Sequence, residues 1–167
     1  MKHKVLSVKQ PWAYLICSGI KDIENRTWKC PQKYIGERVL IHAGAQWDGR
    51  HRNMAHLFTI KQWGALSPSM QVVMAHGNLP TSAIIGSVRF VDCVVNHPSI
   101  WAEKTDLLGL SEINYKIYSS VINVPPIIHN WVLSNPILFD KPILNVKGRL
   151  SFWDYDLPEE YETILKL

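Results

Sequence analysis

A strand, a short helix, a tight turn and a second strand are predicted within the first 28 residues. Residues 4–8 alternate enough apolar and polar side chains for a half-buried strand. Pro11 then marks the start of a helix, because proline is well tolerated at the first helical position. Gly19 ends that helix, since glycine adopts the left-handed conformation common at helix C-termini. An extended segment follows over residues 23–28, so two strand ends lie close to one helix.

Alternation along the second strand places chemically different side chains on one face. Glu24, Arg26 and Trp28 share one side of the strand, whereas Asn25 points to the other. Lys21 precedes them in the turn. Basic, acidic and flat apolar groups at the mouth of a loop-rich region suit a small planar polar ligand, and a nucleobase is the first candidate.

The spacing of these residues resembles the signature of the ASCH domain family (activating-signal-cointegrator homology), a branch of the PUA-like β-barrels. That signature is Gly-x-Lys-x-x-(Glu/Thr)-x-Arg after the first helix, and it is matched by Gly19, Lys21, Glu24 and Arg26. Residues 7–12, with the sequence SVKQPW, are typical of one ASCH subgroup. Further agreement lies at residues 39–44, 83–88, 131–133 and 146–150, so the resemblance covers most of the chain.

We expect a single α+β domain over residues 1–167. This length suits one domain. About five or six strands separated by short helices, without a regular βαβ repeat, argue against a doubly wound sheet. The pattern therefore predicts a small mixed PUA-like β-barrel of about five to six strands with short helices packed at its ends.

The remaining elements are predicted from apolar periodicity and from proline and glycine signals. Strands are predicted over residues 38–43, 84–95, 127–133 and 143–153, helices over residues 48–61 and from Ser67 onward, and a loop with one helical turn over residues 99–118. Asp48 is the predicted N-cap of the 48–61 helix. The basic residues 50–52 near its start fit a solvated face and a phosphate contact equally well.

Charge and composition narrow the possible partners and location. A net charge of +4 and a pI near 9.0 mildly favour polyanionic partners such as RNA. No apolar run approaches the roughly 20 residues of a membrane span, and no secretory signal is evident. Three widely spaced cysteines form no even disulfide set, which favours a reduced cytoplasmic location.

Metal, cofactor and protein partners are not indicated by any motif. The seven histidines contain no His-x-x-x-His pair, and the chain has no Walker loop, no Gly-x-Gly-x-x-Gly and no Gly-x-Ser-x-Gly. We therefore expect no metal, no cofactor and no obligate protein partner. The expected partner is RNA or a modified nucleoside.

Eight residues are predicted to contact this ligand: Ser7, Lys9, Trp12, Lys21, Glu24, Arg26, His42 and Lys147. A lysine can bind phosphate or, when desolvated, act as a base. A carboxylate can accept hydrogen bonds from the exocyclic amine of a base. A tryptophan can stack on a base for roughly 1–3 kcal/mol.

Each of these residues also has a structural interpretation. Lys21, Glu24 and Arg26 could form a charge cluster that closes the turn, and Trp12 could pack in the core. A lone histidine such as His42 is more often a hydrogen-bonded structural residue than a catalyst. Lys147 on the last strand could lie on a solvated face.

Three functions remain open from the sequence. A module that binds RNA or a nucleoside comes first. The resemblance implies the second, because some small bacterial ASCH proteins are amidohydrolases of N4-acetylcytidine; Lys21 and Glu24 are then the catalytic candidates. Those enzymes carry a threonine, their proposed nucleophile, at the position of Glu24, so this chain departs from their pattern. A ribonuclease comes third and would need His42 or Lys21 as its base.

Overall fold

Six strands form one mixed sheet in the computed structural model, which describes residues 1–48 and 55–165. The strands are β1 (Lys2–Gln10), β2 (Ile23–Arg26), β3 (Arg38–Trp47), β4 (Ala83–Val94), β5 (His129–Ile143) and β6 (Phe152–Asp156). Their order is β2-β5-β4-β3-β1-β6. The β1–β3 pair is parallel and the other four pairs are antiparallel.

Five short helices surround this sheet. They are α1 (Trp12–Cys17), α2 (Ile60–Gly64), α3 (Pro68–His76), α4 (Glu112–Val121) and α5 (Glu159–Leu165), and 3₁₀ turns lie at Gln32–Tyr34 and Ala55–Leu57. Ser67 and Ser111 cap α3 and α4 through their side chains. No helix within residues 1–48 and 55–165 is long and apolar enough to cross a membrane. The predicted α+β fold with a mixed six-stranded sheet is confirmed.

The sheet curls although its two edge strands are not hydrogen-bonded to each other in the described chain. Trp131 of β5 and Phe152 of β6 stack with ring centroids 5.8 Å apart and planes 3° apart, even though three strands separate them in the sheet order. Trp28 packs edge-on against both rings. These aromatic side chains fill the concave side, so the predicted barrel is an open, strongly curved sheet around one core.

Helix α1 packs into this concave side because β4 has a glycine where the two approach. Ala13, Ile16 and Cys17 of α1 are buried in the same apolar cluster as Trp131. A Cβ atom on Gly86 would lie 2.9 Å from Cys17 Sγ and would also collide with the Ile137 carbonyl oxygen. The predicted end of α1 is confirmed, since Gly19 has a φ of +78°.

Strand β5 differs from the sequence prediction. It runs unbroken over His129–Ile143, where separate strands over residues 127–133 and 143–153 were predicted. Both prolines of β5 lie where its pairing with β4 shifts register: Ser134 pairs with Arg89 and Ile137 with Ser87, which leaves Pro136 in a bulge. The predicted 143–153 strand is wrong, because residues 144–151 form a loop before β6.

The helix predictions also need correction. Thr59 is extended and caps α2 through a capping box with Gln62, so the predicted 48–61 helix does not extend over residues 55–59. Residues 49–54 of that prediction, including the basic residues 50–52, lie outside the described residues. Residues 99–118 contain most of α4, which is longer than the single helical turn predicted.

The Gly86→Ala substitution should destabilise the fold by roughly 2–4 kcal/mol, because the added methyl group meets a backbone carbonyl that cannot move independently of β5. Urea unfolding followed by circular dichroism measures this change. Gly64→Ala is the matched control, since a Cβ at Gly64 meets nothing within 4 Å. Equal stabilities of the two variants would contradict the close approach of α1, β4 and β5.

Candidate functional site

A cleft of about 490 Å³ opens where β1 and β2 end beside α1. Its walls come from distant parts of the chain: Ser7, Val8, Lys9, Trp12, Lys21, Glu24, Asn25, Arg26, Asp48, Leu57, Thr59, Gln62, Trp101 and Glu103. Six of the eight predicted ligand-contacting residues are among them. His42 and Lys147 are not.

Lys21 lies at the bottom of the cleft and is 5% exposed. The turn after α1 holds it there, because its backbone N–H donates to the Leu15 carbonyl oxygen over 3.0 Å. Its Nζ donates to the Ile23 carbonyl oxygen and lies 3.8 Å from Glu24 Oε2. Burial lowers the pKa of Lys21, and the nearby carboxylate of Glu24 opposes that shift. The amine is therefore closer to deprotonation than a lysine at the surface.

Arg26 fixes the position of Glu24. Its Nε donates to Glu24 Oε1 over 2.7 Å, and its Nη2 donates to the Ser7 carbonyl oxygen over 2.8 Å. The other carboxylate oxygen, Glu24 Oε2, has no hydrogen-bond donor among the described residues. The Glu24 side chain is only 9% exposed. The cleft thus contains one held carboxylate with one oxygen free to accept a hydrogen bond.

Trp12 forms an aromatic wall of the cleft. Its indole Nε1 donates to Asp48 Oδ2 over 2.8 Å, and Phe58 packs edge-on against it at 5.3 Å. Lys9 Nζ lies 3.9 Å from Asp48 Oδ1 at the rim. The ring of Trp12 therefore has a defined orientation, which a stacking platform requires.

The part of the cleft lining that comes from Trp101 and Glu103 was not predicted. Asn25 Nδ2 donates to the Trp101 carbonyl oxygen over 2.9 Å, and Asn25 Oδ1 accepts from the Glu103 backbone N–H over 3.1 Å and from Asn130 Nδ2 over 2.9 Å. Asn25 thereby holds the 101–103 segment at the edge of β2, where Trp101 and Glu103 line the cleft. The sequence signal was an asparagine between Glu24 and Arg26, and nothing local indicated its partners.

Positive and negative side chains balance in the cleft. Lys9, Lys21 and Arg26 face Glu24, Asp48 and Glu103. Each of the three cations lies within 4 Å of a carboxylate oxygen. A phosphate group would have to compete with these carboxylates, whereas a neutral polar ligand would not.

His42 was predicted to contact the ligand but is a buried core residue of β3. It is 1% exposed, and its Nδ1 and Nε2 lie 3.2 Å from Ser7 Oγ and 2.9 Å from the Val146 carbonyl oxygen. A Cβ atom on Gly148 would lie 2.6 Å from His42 Cε1, so the loop closes tightly over the ring. The hydrogen-bonded structural interpretation of this histidine fits the geometry. The Ser7 hydroxyl therefore contacts His42 and not the cleft. The backbone carbonyl oxygen of Ser7 contacts the cleft residue Arg26, from which it accepts a hydrogen bond.

Two other predicted placements differ. Lys147 is exposed in the loop between β5 and β6, not on a strand, and it does not line the cleft. Trp28 packs against Trp131 and Phe152 in the core, so it is not a base platform of this cleft. Within residues 1–48 and 55–165 no group of three histidine, cysteine or acidic side chains could hold a metal ion.

Comparison with known proteins gives one family. The protein-family model described as "ASCH domain" matches residues 6–143 of the chain. No curated protein matches the chain. Among solved structures, the ASCH protein of Zymomonas mobilis is 18% identical with a TM-score of 0.48, over 98% of this chain and 94% of that one. A tyrosine-to-phenylalanine variant of it is 17% identical, also with a TM-score of 0.48, over 98% and 96%.

The stability of the fold should fall as the pH drops, in part because of His42. Burial lowers the pKa of His42 from 6.5, so the unfolded chain takes up this proton before the folded chain does. The contribution of neutral His42 is complete above about pH 6.5 and is lost as the pH falls further. Urea unfolding between pH 7.5 and pH 5 should show a shallower slope for His42→Gln than for wild type. Burial also lowers the pKa of His129, and its contribution to the pH dependence of stability is the same in wild type and in His42→Gln. Identical slopes for the two proteins would contradict the assignment to His42.

Proposed function

The chain belongs to the ASCH domain family, whose model covers residues 6–143, and on that premise we propose that its cleft binds one nucleoside, either free or presented by RNA. The family is of nucleic-acid-binding type. The observation that carries the proposal is the free Glu24 Oε2 oxygen inside a cleft with an aromatic wall. A volume of about 490 Å³ lies in the usual range for small-molecule sites.

The polar atoms at the bottom of the cleft fit the edge of an amine-bearing base. Glu24 Oε2 accepts a hydrogen bond, and Lys21 Nζ lies 3.8 Å away as a donor. Cytosine and adenine carry an exocyclic amine beside a ring nitrogen that accepts. Such an edge places a donor against Glu24 and an acceptor against Lys21, while the ring lies against Trp12.

The charge balance of the cleft supports recognition of the base ahead of the phosphate. The carboxylate partners of Lys9, Lys21 and Arg26 already neutralise them. Any RNA backbone would then lie outside the cleft, where the net charge of +4 on the chain favours it. The RNA and the free nucleoside therefore share one binding mode for the base.

Isothermal titration of the four ribonucleosides and of a short single-stranded RNA at low salt tests this proposal. We expect binding of cytidine or adenosine, with uridine at least about tenfold weaker because it lacks the exocyclic amine. Glu24→Gln should weaken binding roughly 10–100-fold, because the amide keeps the Arg26 contact but no longer offers a second acceptor. Lys147→Ala is the control and should bind the nucleosides as wild type does, because Lys147 does not line the cleft. Absence of binding to all these ligands by folded wild type would overturn the proposal.

A second candidate, an amidohydrolase acting on an N4-acylated cytidine, is favoured by one observation. Burial lowers the pKa of Lys21 at the bottom of the cleft, as a general base or nucleophile at neutral pH requires. Glu24 would orient water or substrate in place of the threonine nucleophile. Of the two bases considered for RNA cleavage, His42 is buried outside the cleft, so only Lys21 remains for that role and the cleft, among the described residues, offers no His–Lys pair.

Incubation with N4-acetylcytidine, followed by chromatography of released cytidine, tests the second candidate. The amidohydrolase would release cytidine, and Lys21→Met would abolish the release, because the thioether side chain fills the site without a titratable amine. Circular dichroism of Lys21→Met checks that the variant is folded. No release by wild type, or equal release by Lys21→Met, would remove this candidate and leave nucleoside binding untouched.

A further inference from the structure

The carboxylate of Glu103 is an unpaired charge at the rim of the cleft. Glu103 is exposed, and it lines both the cleft and the cavity beside it. Its backbone N–H donates to Asn25 Oδ1 over 3.1 Å, and its carbonyl oxygen accepts from Asn130 Nδ2 over 3.0 Å. Among the described residues, its carboxylate has no hydrogen-bond donor and no cation within 4 Å. Glu103 thus offers two acceptor oxygens from a fixed backbone position.

Neighbouring charged groups at the rim already have partners. Asp48 Oδ2 accepts from an indole N–H, and Asp48 Oδ1 lies 3.9 Å from Lys9 Nζ. Lys104 follows Glu103 in the chain but donates to the His97 carbonyl oxygen. Of these rim groups, Glu103 therefore has the acceptor oxygens that a ligand can engage without breaking a contact.

Glu103 and Glu24 act on the same space from different depths. Burial lowers the pKa of Lys21 at the bottom of the cleft, and the charges of Glu24 and then Glu103 oppose that shift. The side chain of Glu24 is only 9% exposed, whereas Glu103 is an exposed residue. The cleft therefore has one carboxylate at its bottom and a second at its rim.

This arrangement matches the two ends of a nucleoside. In cytosine and in adenine, the nitrogen that carries the sugar lies on the side of the base remote from the exocyclic amine. A base whose amine meets Glu24 at the bottom therefore directs its sugar toward the rim. The 2′ and 3′ hydroxyls of ribose are adjacent donors, and a carboxylate has two oxygens to accept from them. Acidic side chains bind ribose hydroxyls in this way in dinucleotide sites.

We propose that Glu103 binds the ribose and selects a ribonucleoside whose 2′ and 3′ hydroxyls are both unmodified. This inference rests on the nucleoside site proposed above and adds recognition of the sugar to it. A deoxynucleoside lacks one of the two hydrogen bonds. A 3′-phosphate brings negative charge against the Glu103 carboxylate. The ligand class is therefore a free ribonucleoside or the 3′-terminal nucleotide of an RNA.

Isothermal titration with cytidine, 2′-deoxycytidine and 3′-deoxycytidine, and with the matching adenosine series, tests the role of Glu103. Wild type should bind each deoxynucleoside at least about tenfold more weakly than the ribonucleoside, the usual loss for one hydrogen bond to a charged group. Glu103→Ala should bind all three members of a series with one weaker affinity. Glu160→Ala is the matched control, because Glu160 is an exposed glutamate of α5 that does not line the cleft.

A short oligouridine that ends in one cytidine or adenosine gives an independent measurement. Wild type should bind the form with a 3′-hydroxyl at least about tenfold more tightly than the form with a 3′-phosphate, because the phosphate removes a donor and repels Glu103. Glu103→Ala should bind the two forms equally. Glu24→Gln should weaken both forms and keep the preference, since Glu24 contacts the base.

The outcomes separate this inference from the proposed nucleoside site. Equal affinities of wild type for a ribonucleoside and its deoxy forms, or an unchanged sugar preference in Glu103→Ala, would overturn the role of Glu103 and leave base recognition by Glu24 in place. Complete loss of binding by folded Glu103→Ala would also contradict it, because Glu103 would then act on more than the sugar. Absence of binding to every nucleoside by folded wild type would overturn both proposals.

Discussion

The guanidinium of Arg26 holds together two strands that are not neighbours in the sheet. It donates to Glu24 on β2 and to the Ser7 carbonyl oxygen on β1. Three strands separate β2 from β1 in the sheet order, so this contact exists only because the sheet curls. The same contact orients the Glu24 carboxylate and brings the ends of β1 and β2 together. Arg26 therefore links the approach of these two strand ends to the position of the Glu24 carboxylate.

The cleft contains charges that a stable core would avoid. Lys21 and Glu24 are both nearly buried, and removing such groups from water costs several kcal/mol per ion before their attraction is counted. Arg26 and the Ile23 carbonyl oxygen offset part of this cost through hydrogen bonds. Apolar residues of similar size would give a core at least as stable. This cost supports the proposal that the charged cluster bordering the cleft recognises a ligand.

Local sequence signals predicted the part of the site that is close in the chain. Turn, helix end and strand alternation over residues 4–28 placed Lys21, Glu24 and Arg26 together, because those elements are set by glycine, proline and apolar spacing. The wall made by Trp101 and Glu103 depends on hydrogen bonds from Asn25 across 76 or more positions, and no local pattern encodes such contacts. Bulges let β5 continue through two prolines that locally indicate breaks. The chain then forms a loop over residues 144–151, so Lys147 is not on the strand that was predicted there.

The indole N–H resonances of the seven tryptophans report directly on where a nucleoside binds. Two-dimensional ¹⁵N NMR during titration with cytidine or adenosine measures them in one experiment. If the base is recognised by Glu24 and Lys21 beside the aromatic wall, the Trp12 and Trp101 resonances shift, and those of Trp131 and Trp153, which do not line the cleft, stay in place. Saturable shifts confined to Trp131 or Trp153, or no saturable shift at any tryptophan, would contradict the assignment of this cleft as the binding site.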